Sequence, residues 1–301
     1  MEEFDARAER KYCSRIGFSL VVTLACALVW QFAVMWVDYL TQGGIPETIY
    51  YILILAGHYA VALPLALRLT RCVPRTPAPQ QEWGMSQIAK WFFIGMAVMW
   101  LGAFVGTAVN NLAYGLIGRT PVDALNEVFD LLPPAAAILS ACVLAPICEE
   151  FLFRGVIADR LARYGQGRAA VISALLFGLF HGNLTQFFYA FGLGLLLAAV
   201  YFKTGQLIVP ITLHTLYNVC GSGVPLLIGS RETGMIVYGL LVLACLIAGG
   251  VLLILELMNH GFCLEDGPLS GAPGRVIWLN AGMTLALIVC LMQFIIVFLS
   301  Q

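Results

Sequence analysis

The chain has 301 residues, of which 60% are hydrophobic and 11% are charged, with a formal net charge of -1 at pH 7. Soluble domains are about 45–50% apolar and about 25% charged, so this composition excludes an ordinary soluble protein and indicates several membrane spans. The near-zero net charge argues against nucleic acid as a partner, because phosphate binding requires an excess of basic residues.

Segments long enough to cross a membrane follow one another along most of the chain, since a span needs about 20 apolar residues. We predict helices over residues 16–39, 48–68, 88–117, 135–158, 169–183, 185–202, 207–229, 235–258 and 276–300. The first is too long for a signal-peptide core, so we expect it to be retained. The fifth and sixth are short and are separated only by HGNLTQ. They form either a tight hairpin or a partly re-entrant pair, so the total is eight or nine helices.

The basic residues favour one orientation of this chain in the membrane. If the N-terminus is cytoplasmic, all of the 16 lysines and arginines except Arg119 and Arg231 fall at cytoplasmic ends of helices. Cytoplasmic loops of membrane proteins carry such an excess. We therefore predict a multi-pass protein of the cell membrane with a cytoplasmic N-terminus.

Three of the predicted helices contain polar residues that lipid disfavours. An ionisable side chain at the centre of a membrane helix costs about 2.5–3.5 kcal/mol on insertion scales, so its presence indicates a function. The residues are Glu149, Glu150 and Arg154 in the fourth helix, His181 in the fifth, and His214 and Asn218 in the seventh.

The stretch CEEFLFRG contains two adjacent glutamates, of which only one has a partner within its own helix. Glu150 and Arg154 are four residues apart, so they share a helix face and can form an ion pair that makes both easier to bury. Glu149 points about 100° away from Glu150 and has no partner within the helix. An unpartnered carboxylate in apolar surroundings is a usable general base. The alternative is a buried ion-pair cluster that only locks two helices together.

The histidines also allow two interpretations each. Phe177 lies four residues before His181 on the same helix face, and a lone histidine there is either a satisfied core residue or a catalyst. His214 and Asn218 are also four residues apart and present two hydrogen-bond donors on one face. Such a pair either holds a developing oxyanion or joins two membrane helices.

Two prolines favour a shared site over three unrelated contacts. Pro146 precedes Glu149 and Pro210 precedes His214 by about one turn, and an interior proline kinks its helix. We expect these kinks to open a cavity to water. With its helix ending near Ile157, Glu149 would lie about 12 Å from the cytoplasmic end. We therefore expect the site near the cytoplasmic face, although His181 comes out deeper, at about 20 Å.

The motifs EExxxR (Glu149, Glu150, Arg154), FxxxH (Phe177, His181) and HxxxN (His214, Asn218) occur in this order. Together they resemble the CAAX protease and bacteriocin-processing family, also called CPBP or Abi, which includes the type II CAAX prenyl endopeptidases. The resemblance covers about residues 135–220.

This resemblance implies an intramembrane endopeptidase that cleaves a membrane-bound peptide or protein, with or without an attached lipid. It assigns activation of the attacking water to Glu149 with His181, and stabilisation of the oxyanion to His214 with Asn218. The other residues that it implies are Glu150, which tunes the catalytic group, and Arg154 and Phe177, which support it. The motifs do not separate CaaX processing from peptide maturation or bacteriocin immunity.

The sequence leaves the use of a metal open. It lacks HExxH, and its four histidines (His58, His181, His214 and His260) are far apart in the chain. Zinc held by Glu149, His181 and His214 remains possible. We predict no cofactor and favour a metal-independent glutamate mechanism.

We expect an all-α integral membrane protein with a conical catalytic cavity in the bilayer. Residues 1–134 supply N-terminal helices and, over 119–134, an amphipathic surface helix. Residues 135–220 form the catalytic core, and residues 221–301 add C-terminal helices to the same unit.

Two other functions fit buried charged residues. A proton-coupled transporter would show repeat symmetry, and none is visible. A non-catalytic immunity or scaffold protein of the same fold would have little reason to keep every motif position, and all of them are filled here.

Overall fold

The computed structural model describes residues 4–76, 78, 80–120, 133–229 and 231–300. Most of these residues are helical, and none of them lies in a strand. Most of the predicted surface helix over 119–134 falls on residues 121–132, outside the described part.

Each of the predicted spans overlaps a helix. Eight helices are long and apolar enough to cross a membrane among the described residues, and Gln166–Phe180 is a shorter apolar helix. The predicted all-α, multi-pass architecture is therefore confirmed. In chain order the helices are α1 Ala6–Leu40, α2 Glu47–Thr70, α3 Met85–Leu116, α4 Pro134–Tyr164, α5 Gln166–Phe180, α6 Leu184–Thr204, α7 Ile208–Ile228, α8 Glu232–Met258, α9 Gly274–Trp278 and α10 Ala281–Ser300.

The outer surface of the bundle is apolar. Helix α8 exposes more than half of the side chains of Leu240, Leu243, Ile247 and Ile254, and Gly249 is its one buried residue. A surface of this kind would aggregate in water, whereas in lipid its exposure carries no penalty. The helix surfaces thus agree with a membrane-embedded bundle.

Helices α5 and α6 form a tight hairpin inside the bundle, where α6 also packs along α3. Gly182 turns the chain with a left-handed φ of 68°, which glycine adopts at no steric cost. Asn183 then caps α6, because its side-chain oxygen accepts a hydrogen bond from the Gln186 backbone N–H at 2.9 Å. The hairpin places His181 at the tip of α5.

One end of the bundle is held together by charged residues. Glu9 at the start of α1 pairs with Arg163 near the end of α4 at 3.1 Å. In the linker after α2, Arg75 pairs with Asp159 at 2.6 Å. Arg168 at the start of α5 donates to the carbonyl of Ala272 at 2.8 Å. The basic residues of these segments therefore share one end of the bundle, which a single cytoplasmic face requires; that this end is cytoplasmic stays a prediction.

Helix α4 is irregular on both sides of the two glutamates. The π-helical segments Ile138–Leu144 and Phe151–Ala158 flank the α-helical turn Ala145–Glu150. Pro146 lies at the start of that turn, next to the first π-helical segment, so the expected irregularity near Glu149 is present. The π-helical backbone is rare and occurs often at functional sites.

The prediction that Pro210 kinks its helix is wrong. Pro210 is the third residue of α7, in the first turn, where backbone N–H groups have no helical acceptor to lose. The irregularity of α7 lies instead at Val219–Gly223, just after Asn218.

We predict that the exposed cysteines Cys72 and Cys263, both in segments at the charged end, react from the cytoplasm. A membrane-impermeant maleimide should leave intact cells unlabelled and label both positions after permeabilisation. The Cys72→Ser/Cys263→Ser double variant is the control and should lose that labelling. Labelling of both cysteines in intact cells would reverse the predicted orientation.

Candidate active site

Helices α4, α5, α6 and α7 border a cavity of about 180 Å³. It is lined by residues from all three motifs: Glu149, Phe177, His181, His214 and Asn218. Glu150 and Arg154 are completely buried and do not line it. The structure thus brings the predicted site residues together and divides them into a cavity wall and a pair behind it.

The cavity lies farther from the charged end than expected. Helix α4 does not end near Ile157 but continues through its second π-helical segment to Tyr164. Glu149 is therefore about 22 Å from that end rather than about 12 Å. His181 is as many residues from Gln166, where α5 begins, as Glu149 is from Tyr164, where α4 ends. The mismatch in depth between Glu149 and His181 disappears because the α4–α5 turn lies midway between them.

The cavity also extends in a definite direction along α4 and α7, and whether it lies near the cytoplasmic face stays a prediction. On α4 the cavity extends from Glu149 to Ala145 and Ala141, toward Pro134. On α7 it extends from His214 through Asn218 to Ser222, toward the C-terminal end of that helix. Both directions lead away from the charged end.

The predicted ion pair between Glu150 and Arg154 is confirmed. Arg154 Nη1 donates to Glu150 Oε1 at 2.8 Å, and both side chains have no exposed surface. Arg154 Nη2 donates to the carbonyl of Gly194 on α6 at 3.0 Å. The guanidinium carbon lies 4.8 Å from the centre of the Phe177 ring on α5. This pair therefore joins α4 to α6 and α5 behind the cavity.

His214 lies between the two glutamates. Its Nδ1 is 2.8 Å from Glu150 Oε1, and its Nε2 is 3.8 Å from Glu149 Oε2. Since an ionised carboxylate only accepts hydrogen bonds, Nδ1 is the donor to Glu150. The other ring nitrogen, Nε2, is left facing Glu149.

Glu149 differs from Glu150 in having no hydrogen bond to the described part of the chain. Its side chain is 13% exposed and borders the cavity. This agrees with the prediction that Glu149 has no partner in its own helix. Of two adjacent carboxylates, one is thus fixed by neighbours and the other is available to a ligand.

The orientation of His181 follows from its contact with Phe177. His181 Nδ1 lies 2.8 Å from the Phe177 carbonyl oxygen, which can only accept, so Nδ1 carries the proton and Nε2 remains for a ligand. The Phe177 ring meets His181 edge-on at 4.9 Å and His214 edge-on at 5.7 Å. Phe177 therefore packs between the two imidazoles.

Asn218 joins two helices, as one of its two interpretations predicted, and it also lines the cavity. Its Nδ2 donates to the Ala141 carbonyl in the first π-helical segment of α4 at 2.8 Å, which joins α7 to α4. The amide also lines the cavity, and a primary amide has a second N–H.

The described residues do not form a ready-made zinc site, and the zinc alternative stays untested. No group of three or more His, Cys, Asp and Glu side chains in the described ranges is placed to hold a metal ion. His214 Nε2 and Glu149 Oε2 are 3.8 Å apart. The mechanism proposed below uses only side chains of this chain.

Sequence reasoning missed three polar residues of the cavity wall, Gln186, Tyr189 and Ser222. Gln186 and Tyr189 lie in the first turns of α6. The signal for them is Gly182: a glycine that reverses the chain directly after His181 brings the first turns of the next helix beside the histidine.

Comparison with known proteins agrees with the motifs. Residues 131–220 match the family model described as type II CAAX prenyl endopeptidase Rce1-like. The resemblance to the CAAX protease family is confirmed.

Two curated relatives are similar to part of the chain. The membrane-embedded CAAX protease MroQ of Staphylococcus aureus (strain USA300) is 28% identical over 139 residues, which are 44% of this chain and 56% of the relative. The putative membrane peptidase YdiL of Bacillus subtilis (strain 168) is 25% identical over 164 residues, 53% of this chain and 66% of the relative. The chain thus spans less than two thirds of either relative. No solved structure matches it.

We predict that Arg154→Met destabilises the protein by about 3–5 kcal/mol, because it leaves the Glu150 carboxylate charged and buried without its main partner. The double variant Glu150→Gln/Arg154→Met should regain part of that loss. Thermal unfolding in detergent measures both. A single variant as stable as the wild type would show that the pair does not hold the helices together.

Proposed function

We propose that the protein is an intramembrane endopeptidase that hydrolyses a peptide bond of a membrane-associated peptide or protein. The observation that carries this proposal is the pair of adjacent glutamates. Glu150 is fixed by Arg154 and His214, while Glu149 borders a cavity without a hydrogen bond to the described chain. A carboxylate that is kept available beside two imidazoles is suited to accept a proton from water.

In the reaction that we propose, Glu149 takes a proton from a water molecule while the oxygen of that water attacks the carbonyl carbon of the scissile bond. The tetrahedral intermediate then collapses, the C–N bond breaks, and the proton passes from Glu149 to the leaving amine. His181 assists through Nε2, which can accept and return a proton because Nδ1 is held by the Phe177 carbonyl.

The negative charge of the intermediate develops on the former carbonyl oxygen. Two groups on α7 support its stabilisation. When both ring nitrogens of His214 carry protons, Nε2 has an N–H in addition to the one that Nδ1 donates to Glu150. Asn218 has one amide N–H beyond the one that it donates to Ala141. Preorganised donors of this kind typically contribute about 10²–10³-fold to the rate each.

The family match and the names of the two relatives favour a peptide over other hydrolysable substrates. We propose a substrate in the membrane, with an attached lipid as one candidate feature. CaaX processing, peptide maturation and a role in bacteriocin immunity remain alternatives for its biological use.

The variant Glu149→Gln should lower cleavage of a peptide reporter by about 10²–10⁴-fold, since it removes the proton acceptor and changes little else. The assay uses purified protein in detergent with lipidated and unlipidated fluorogenic peptides. The matched control is Glu232→Gln, which changes an exposed glutamate at the start of α8 and should cleave like the wild type. Wild-type cleavage by Glu149→Gln would refute the assignment of the general base.

We expect cleavage to persist in the presence of a strong chelator, because the proposed steps use only side chains of this chain. The measurement is the initial rate after prolonged dialysis against the chelator. Loss of activity that zinc restores would contradict the metal-independent mechanism.

A further inference from the structure

The first turns of α6 place a second polar group in the cavity, separate from the three motifs. Gln186 and Tyr189 lie one turn apart on this helix, and both line the cavity beside His181. The Tyr189 ring is 6.4 Å from the His181 ring. Neither residue has a part in the mechanism described above.

Hydrogen bonds fix the orientation of the Gln186 amide. Asn183 Nδ2 donates to Gln186 Oε1 at 2.7 Å, so the oxygen of the amide faces Asn183. Gln186 Nε2 donates to the Tyr189 hydroxyl at 2.9 Å. Asn183 is itself held, because its Nδ2 also donates to the His181 carbonyl at 3.0 Å.

This arrangement leaves one donor of Gln186 for a ligand. A primary amide has two N–H groups on its nitrogen, and Tyr189 receives one of them. The second has no partner in the described part of the chain, although the side chain borders the cavity. Its direction is already fixed, so little conformational entropy is lost when it donates to a ligand.

A bound peptide would need such a donor. A peptide bound in a cavity of about 180 Å³ displaces most of the water from it, so the main-chain carbonyls of the substrate need hydrogen-bond donors in the protein. His214 and Asn218 on α7 serve the carbonyl that is attacked. A neighbouring carbonyl of the same peptide requires a donor on another helix.

We propose that Gln186 is a substrate-binding residue that donates its second N–H to a main-chain carbonyl next to the scissile bond. Tyr189 and Asn183 are positioning residues that hold the amide in this orientation. This inference rests on the proposed endopeptidase function and adds to it a hydrogen bond to the main chain of the substrate.

The test compares Gln186→Leu and Gln186→Glu with the wild type in the reporter assay. Both variants lack the donor and keep roughly the size of the side chain, so kcat/KM should fall by about 10- to 100-fold, mainly through a higher KM. The matched control is Gln87→Leu on the exposed first turn of α3, which should leave both constants unchanged. Wild-type kcat/KM in both Gln186 variants would overturn the inference.

A third variant separates binding from a purely structural role. If Gln186 served only to hold Tyr189, then Tyr189→Phe, which removes the hydroxyl, would reduce kcat/KM as much as Gln186→Leu does. We expect a smaller loss, because the Gln186 donor is still present. Equal losses would overturn the inference.

Peptide binding in the Glu149→Gln background makes the test independent of catalysis. Adding Gln186→Leu should weaken binding of the uncleaved reporter by about 10-fold or more. Absence of cleavage by the wild type would count against the proposed function. Cleavage and peptide binding that are unchanged by Gln186→Leu would count against this inference alone.

Discussion

The site depends on one buried carboxylate oxygen. Glu150 Oε1 accepts from Arg154 on its own helix and lies 2.8 Å from His214 Nδ1 on α7. Arg154 extends the connection to α6 through the Gly194 carbonyl. A charge inside an apolar bundle is stable only when it is paired and hydrogen-bonded. This requirement fixes three helices relative to one another and aims His214 at Glu149.

The same contacts make two neighbouring glutamates chemically different. Glu150 has its ionic partners and is completely buried, so it is tied to the framework. Glu149, one residue earlier, points to another side of α4 and borders the cavity. Backbone irregularity supports this division. The π-helical segments on both sides of Ala145–Glu150 change the direction of side chains along α4, and Asn218 bonds to a carbonyl in the first of them.

Local spacing was sufficient to predict the pairs within single helices. The four-residue separations of Glu150 and Arg154, and of His214 and Asn218, gave the shared faces that the structure contains, because a helix repeats every 3.6 residues. Depth along the helices was not predictable in this way. It depended on where α4 ends, and the π-helical segment that carries it past Ile157 has no marker in the local sequence.

Contacts between helices escaped sequence reasoning for a related reason. The bond between His214 and Glu150, and the role of Asn183 in aiming Gln186 at the cavity, depend on how the α5–α6 hairpin packs against α4 and α7. No residue spacing encodes that packing directly. The kink predicted at Pro210 is wrong because the sequence does not show where α7 begins, and a proline in the first turn of a helix is then indistinguishable from an interior one.

The central claim is that Glu149 performs the chemistry while its surroundings bind the substrate. The most direct measurement incubates purified Glu149→Gln with a reporter peptide that the wild type cleaves, and follows bound peptide and product together. We predict that the variant binds the intact peptide within a few-fold of the wild-type affinity and forms product at least about 10²-fold more slowly than the wild type. Product formed at the wild-type rate would contradict the account.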